Sequence, residues 1–133
     1  MKLRLSLNPI PASRPRFVRR GKFTRTYYAG RYKGFLQEGP AAIEAALEGD
    51  SRELPFLGSV SVHAKFHVQQ PKVTKLSRPR GDIDNYGKAL LDILSRSQPP
   101  LIGDDEQVTY LAMEKMWAAP KQPGYIEMEI LPL

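Results

Sequence analysis

The sequence predicts an α+β fold: a small mixed β-sheet packed with two helices, in the order β-α-β-α-β-β. Three observations predict it. Two stretches alternate apolar and polar residues at a period of two, Leu3, Leu5 and Leu7 near the start and Val60 to Gln69 in the middle. A stretch at Ile83 to Ser95 repeats its apolar residues at helical spacing and ends before Pro99 and Pro100. The chain has 133 residues, 41% of them hydrophobic, which suffices for an ordinary core in one domain, residues 1–133.

The elements follow in order. Residues 2–8 form a half-buried strand that Pro9 and Pro11 terminate, and an irregular basic segment runs to Arg25. Tyr27 to Leu47 is helical, with Tyr28, Tyr32, Phe35, Leu36, Ile43 and Leu47 facing the core. Gly39-Pro40 should kink or split it, because proline lacks a donor and clashes with the preceding turn. In the strand Val60 to Gln69, Val60, Val62, Ala64, Phe66 and Val68 share one face. Pro71 to Gly81 is a basic loop. The second helix sets Ile83, Gly87, Leu90, Leu91 and Leu94 in one stripe, with Asp84 and Lys88 on its flank near the core and Asp92 turned toward solvent. Gln107 to Trp117 carries apolar residues on both faces, the pattern of a central strand, and Trp117 belongs to the core. Tyr125 to Leu131 closes the sheet with Ile126, Met128 and Ile130 inward.

Composition excludes several function classes. No cysteine is present, which removes thiolate catalysis and cysteine-based zinc sites and fits a cytoplasmic setting. No stretch approaches the roughly 20 apolar residues that span a bilayer, and Met1-Lys2-Leu3-Arg4 lacks the apolar run of a signal peptide. Charge is lopsided: residues 1–37 hold ten of the 20 Lys and Arg and no acid. Such a region binds polyanions, and its prolines break any continuous membrane-facing helix, so nucleic acid is the expected partner.

The candidate DNA contacts are Arg14, Arg16, Arg19, Arg20, Lys22 and Arg25, interleaved with Phe17, Phe23, Tyr27 and Tyr28, and then Lys72, Lys75, Arg78 and Arg80. Carboxylates follow this second basic group. Asp82 and Asp84 flank the start of the second helix, Lys88 comes one turn later, and Asp104 and Asp105 follow Gly103. Oxygen ligands at element ends suit a hard cation such as Mg²⁺, with Mn²⁺ as a substitute. The bland readings stand beside this: a helix cap for Asp82 or Asp84, a turn for Asp104 and Asp105, and an i,i+4 ion pair for Lys88. The helix is about 17 Å long, and an extended connector of roughly 30 Å could return the second acid pair to its start. His63 and His67 lie about 13 Å apart along one strand face, too far to share a metal.

Arg80-Gly81-Asp82-Ile83-Asp84-Asn85, Lys88-Ala89-Leu90-Leu91-Asp92 and Asp104-Asp105-Glu106-Gln107-Val108, with Lys115 beyond, resemble the RusA-type Holliday junction resolvases. The opening Pro9-Ile10-Pro11 and Arg14-Pro15-Arg16 is similar too. The resemblance implies a homodimeric, Mg²⁺-dependent endonuclease that nicks four-way DNA junctions symmetrically, without a small-molecule cofactor. It implies Asp82, Asp84 and Asp105 as catalytic metal ligands, Asp104 as an adjacent one and Lys88 as the essential lysine. Ser97-Gln98-Pro99-Pro100 in the connector, and Gly87 where a bulkier residue is common, depart from the family pattern. Two other functions stay open: a non-catalytic structure-selective DNA-binding module, and a Mg²⁺-dependent nuclease for flaps, single strands or RNA.

Overall fold

The computed structural model describes residues 1–14, 16–27 and 30–133. The elements are β1 (Lys2–Leu5), β2 (Arg16–Arg20), β3 (Phe23–Tyr27), α1 (Gly30–Ala46), β4 (Val60–Val68), α2 (Ile83–Leu94), a short 3-10 turn (Asp105–Gln107), β5 (Val108–Trp117) and β6 (Tyr125–Pro132). Four strands form one mixed sheet in the order β1-β6-β4-β5. β6 runs antiparallel to both β1 and β4, whereas β5 runs parallel to β4, with Phe66 opposite Lys115. A parallel pair needs a long crossover, and α2 with its flanking loops supplies it. The predicted fold class and main element order hold.

Alternation on β1, β4 and β6 reads as expected. Leu3, Leu5, Val60, Val62, Ala64, Phe66, Ile126, Met128 and Ile130 are buried in one cluster with the inner faces of α1 and α2. α1 runs through Pro40 as one element and is not split. It meets α2 at Gly39, where an added Cβ would lie 2.6 Å from Ile93 Cγ2. That close approach is what the glycine permits. Tyr28, expected in the core, lies outside the described residues.

Three expectations change. The basic segment is not irregular: β2 and β3 pair antiparallel as a separate two-stranded sheet, with Arg20 opposite Phe23. Gly21 opens the two-residue turn between them with φ of 58°, so a strand and not the start of α1 ends at Tyr27. A two-residue turn with glycine first is a hairpin signal. β5 is an edge strand and not a central one. Its apolar residues do not all need a sheet on both sides: Tyr110 is 55% exposed, while Met113 packs beneath Gly87 of α2.

The third change concerns the roll of α2. Its buried residues are Tyr86, Gly87, Ala89, Leu90, Ile93 and Leu94, while Ile83 is exposed and Leu91 only half-buried. Tyr86 enters the core because its hydroxyl finds a partner there, donating to Arg80 O at 2.6 Å, and its ring packs on Phe66. A tyrosine that satisfies its own hydroxyl can thus take a position that a leucine was expected to hold.

Candidate functional site

The roll of α2 decides where the acids go. Asp84 and Lys88 are turned out to solvent and not held at the core edge, and Asp92 is drawn inward, its side chain 18% exposed. Tyr32 of α1 donates its hydroxyl to Asp92, which explains the burial of that acid. Lys88 Nζ stands 3.8 Å from Asp92, the predicted i,i+4 pair, while remaining 64% exposed.

Asp82 is the N-cap of α2, with φ of −77° and ψ of 141°, yet its side chain makes no capping hydrogen bond. Its carbonyl serves the helix instead, accepting from Asn85 N at 3.0 Å and Tyr86 N at 3.3 Å. Asp84 accepts from the amide of Asn85, at 3.1 Å. Only Asp84 thus serves a first-turn amide, while Asp82 at the cap position leaves the ordinary capping role unfilled. Both remain exposed and open to other partners.

The connector after α2 is compact, not extended. Leu101 N and Ile102 N both donate to Leu94 O, at 2.9 and 3.4 Å, and both residues are fully buried. Burial of this apolar pair reverses the chain at the end of the helix, which the prolines alone did not suggest. Asp104 then caps the 3-10 turn, accepting from Glu106 N at 2.9 Å, and Gln107 completes a capping box. So Asp104 has the structural role of its bland reading. Gln107 accepts from Gly103 N and Asp104 N and donates to Phe56 O and Gly58 O, tying the turn to the loop before β4. The spacing Asp104-x-x-Gln107 was the available signal for this joint.

Asp105 makes a different use of the same turn. Local desolvation first, then the charges of Asp92 and Asp104, push its carboxyl above the ordinary carboxylate range, against the opposing pull of Lys88 and Arg96. Asp92, Asp104, Lys88 and Arg96 are thus the charges that act on Asp105, which associates it with the C-terminal half of α2. Asp82 and Asp84 are not among the charges that act on Asp105. Asp92, read from the sequence only as a partner for Lys88, also acts on Asp105.

The loop before Asp82 is basic as expected, with Lys72, Lys75, Arg78 and Arg80 exposed. A groove of about 680 Å³ runs beside it, lined among others by Arg31, Lys75, Arg80, Gln69, Tyr86 and Trp117, with no carboxylate among its lining residues. Trp117 is half-buried at this groove, donating its indole N–H to Leu76 O at 3.0 Å, so it bridges core and loop. Burial raises the Tyr86 phenol pKa, against the lowering pull of Arg31, and keeps it a neutral donor. Arg14, Arg19 and Lys22 are exposed, and Arg16, Arg20 and Arg25 belong to the β2–β3 hairpin. The histidines serve elsewhere: His67 Nε2 is 2.7 Å from Glu127 and its ring stacks on Tyr125, while His63 tilts against Tyr110.

Among the described residues, no group of three or more histidines and carboxylates stands close enough to hold one metal ion. The donor chemistry nevertheless suits a hydrated hard dication. The donors are carboxylate oxygens alone, Asp82 leaves its oxygens free of the helix, and Asp105 is crowded by like charge. Mg²⁺ takes one or two protein carboxylates and keeps several waters, so this set does not demand a closed cage. A family model described as Endodeoxyribonuclease RusA matches residues 6–130 of the chain. No curated protein matches it.

Proposed function

The chain belongs to the RusA endodeoxyribonuclease family, and from that premise we propose that it resolves four-way DNA junctions in the cytoplasm by paired, symmetric, Mg²⁺-dependent nicks. The observation that carries the reading to this site is Asp82, a helix-capping acid whose carboxylate is withheld from the cap. Asp82, Asp84 and Asp105 are the carboxylates that would bind the ion, one or two of them directly and the rest through its retained waters, with Asp104 adjacent, and Mn²⁺ would substitute. When bound, the ion supplies charge stabilisation and a more acidic water.

The chain's own residues do the rest. Lys88, exposed and only loosely paired with Asp92, reaches a scissile phosphate and offsets the negative charge that develops on it. Arg31, Lys75 and Arg80 line a groove without acids, which guides a phosphate backbone toward Asp82. Lys72 and Arg78 extend this path, and Arg14, Arg16, Arg19, Arg20, Lys22 and Arg25 grip the arms of the junction. Attack by water displaces the 3′ oxygen, leaving a 5′ phosphate and a 3′ hydroxyl that a ligase can rejoin. A two-fold homodimer presents two such sites to opposite strands, which accounts for pairing of the nicks.

The test is a labelled four-way junction and a linear duplex, each incubated with Mg²⁺ or EDTA. The expected result is symmetric, ligatable nicks confined to the junction and only with Mg²⁺. Asp82→Asn should abolish cutting and leave junction retention in a gel intact. Retention without any metal-dependent product in the unaltered protein would mark a binding module instead. Cleavage of flaps or single strands in preference to junctions would mark a different nuclease.

A further inference from the structure

We propose that Lys115 is a positioning residue for Asp82, acting through the backbone of residues 79–81; the proposal rests on the metal-binding reading of Asp82 given above. Pro79, Arg80 and Gly81 lie between helix and sheet, and their three successive carbonyls are each taken by a side chain. Lys115 Nζ donates to Pro79 O at 2.9 Å and, more closely, to Gly81 O. Tyr86 donates to Arg80 O from the core. Both donors are anchored: Lys115 sits opposite Phe66 in the β4–β5 register, and Tyr86 packs on Phe66. The ammonium also stands 5.9 Å from the centre of the Tyr86 ring, a cation–π distance.

This arrangement matters because Asp82 has no hydrogen bond of its own to fix its carboxylate at the cap. Its direction is set by the peptide before it. That peptide begins at Gly81, whose φ of 94° is open to glycine and strained for other residues, and which is walled by Pro11 and Tyr86 at 3.1 and 3.3 Å from where a Cβ would stand. A glycine is also the residue freest to rotate once its restraints are removed. Lys115 supplies the restraint at its carbonyl. Among the described residues Lys115 has no carboxylate partner within ion-pair distance, so its charge is spent on these two carbonyls and the ring face.

Residues that orient a metal ligand typically alter metal affinity or activity about 10- to 100-fold when removed. Lys115→Met keeps the length of the stem and removes the ammonium; Lys115→Arg keeps a donor able to reach both carbonyls. Mn²⁺ binding would be followed directly by the paramagnetic resonance of the free ion, alongside the Mg²⁺ concentration giving half-maximal junction cleavage. Lys115→Met should weaken Mn²⁺ binding at least about tenfold and raise the Mg²⁺ requirement in parallel, with junction binding in EDTA unchanged. Lys115→Arg should recover most of the affinity. Tyr86→Phe, which frees only Arg80 O, should give a smaller shift in the same direction and serves if Lys115→Met fails to fold.

Asp82→Asn separates the two levels. If Asp82→Asn leaves Mn²⁺ affinity intact, the metal reading of Asp82 falls and the role of Lys115 falls with it. If Asp82→Asn loses affinity while Lys115→Met and Tyr86→Phe retain it, the positioning role alone is overturned. Loss of melting temperature and activity together, with metal affinity unchanged, would likewise make Lys115 a stability residue only.

Discussion

The contact between α1 and α2 can be tested by adding one methyl group in two places. Gly39 and Gly87 are both buried in helices, and alanine at either gains about 1 kcal/mol of helix propensity. Their neighbours differ. At Gly39 the new Cβ would lie 2.6 Å from Ile93 Cγ2, 3.0 Å from Cδ1 and 3.1 Å from its Cβ. Ordinary carbon contacts are about 3.5–4.0 Å, so the helices must part by roughly 1 Å. Ile93 is fully buried and β-branched and cannot swing away. Overpacking of this kind costs about 1–3 kcal/mol, which outweighs the propensity gain. Gly39→Ala should therefore lose about 1 kcal/mol net, lowering the melting temperature by roughly 3–5 °C. At Gly87 the new Cβ meets the Sδ of Met113 and its Cε at 2.9 Å, the far end of a flexible, half-exposed side chain. Gly87→Ala should stay within about 0.5 kcal/mol of the parent, because the thioether moves aside. Thermal unfolding by circular dichroism measures both. In an Ile93→Ala background Gly39→Ala should turn stabilising, since the obstructing methyl is gone. A rise in melting temperature for Gly39→Ala alone would refute the close packing of the two helices.

Other outcomes follow from the site. In EDTA, Asp105→Asn should stabilise the protein near neutral pH: the folded pKa of Asp105 is raised, so the wild type is favoured below the ordinary value of 3.8 and loses that advantage as pH rises through the raised value. The difference in melting temperature between the two proteins should therefore grow with pH and vanish in strong acid. Tyr32→Phe leaves the half-buried Asp92 without its hydroxyl donor and should cost about 1–2 kcal/mol in denaturant titrations. If the basic residues of the hairpin and its approach neutralise about six phosphates, log affinity for a junction should fall with log salt at a slope near −5, and Arg19→Ala should reduce that slope by about 1.

Burial patterns at period two were legible in the sequence, because Leu3, Leu5 and the Val60 to Val68 alternation have one apolar face each and no competing partner. What escaped reading depended on pairwise partners. Tyr86 could not be assigned to the core without knowing that Arg80 O would receive its hydroxyl, and the roll of α2 followed from that choice. Asp92 looked solvent-bound until Tyr32, 60 positions away, was brought to it by the packing of α1 on α2. The apolar two-sidedness of β5 suggested a central strand, since sequence does not distinguish a second sheet neighbour from the underside of a helix. The hairpin was overlooked for a different reason. Gly21-Lys22 is a turn signal, but Phe17 and Val18 are adjacent, so no period-two alternation marks β2, and an irregular segment was expected there. Asp82, Asp84, Lys88, Asp104 and Asp105 were all legible as candidates; that Lys88 and Asp105 both interact with Asp92 was not.

One amide side chain couples two parts of the surface that are far apart in the chain. Gln107 holds the backbone of Gly103 and Asp104 with its oxygen and that of Phe56 and Gly58 with its nitrogen. The segment ahead of β4 and the bend carrying Asp105 are thereby mechanically joined, so a displacement of one is transmitted to the other. Insertions or deletions near residues 54–58, on a stretch with no candidate chemistry of its own, should consequently be felt as lost register at Asp105.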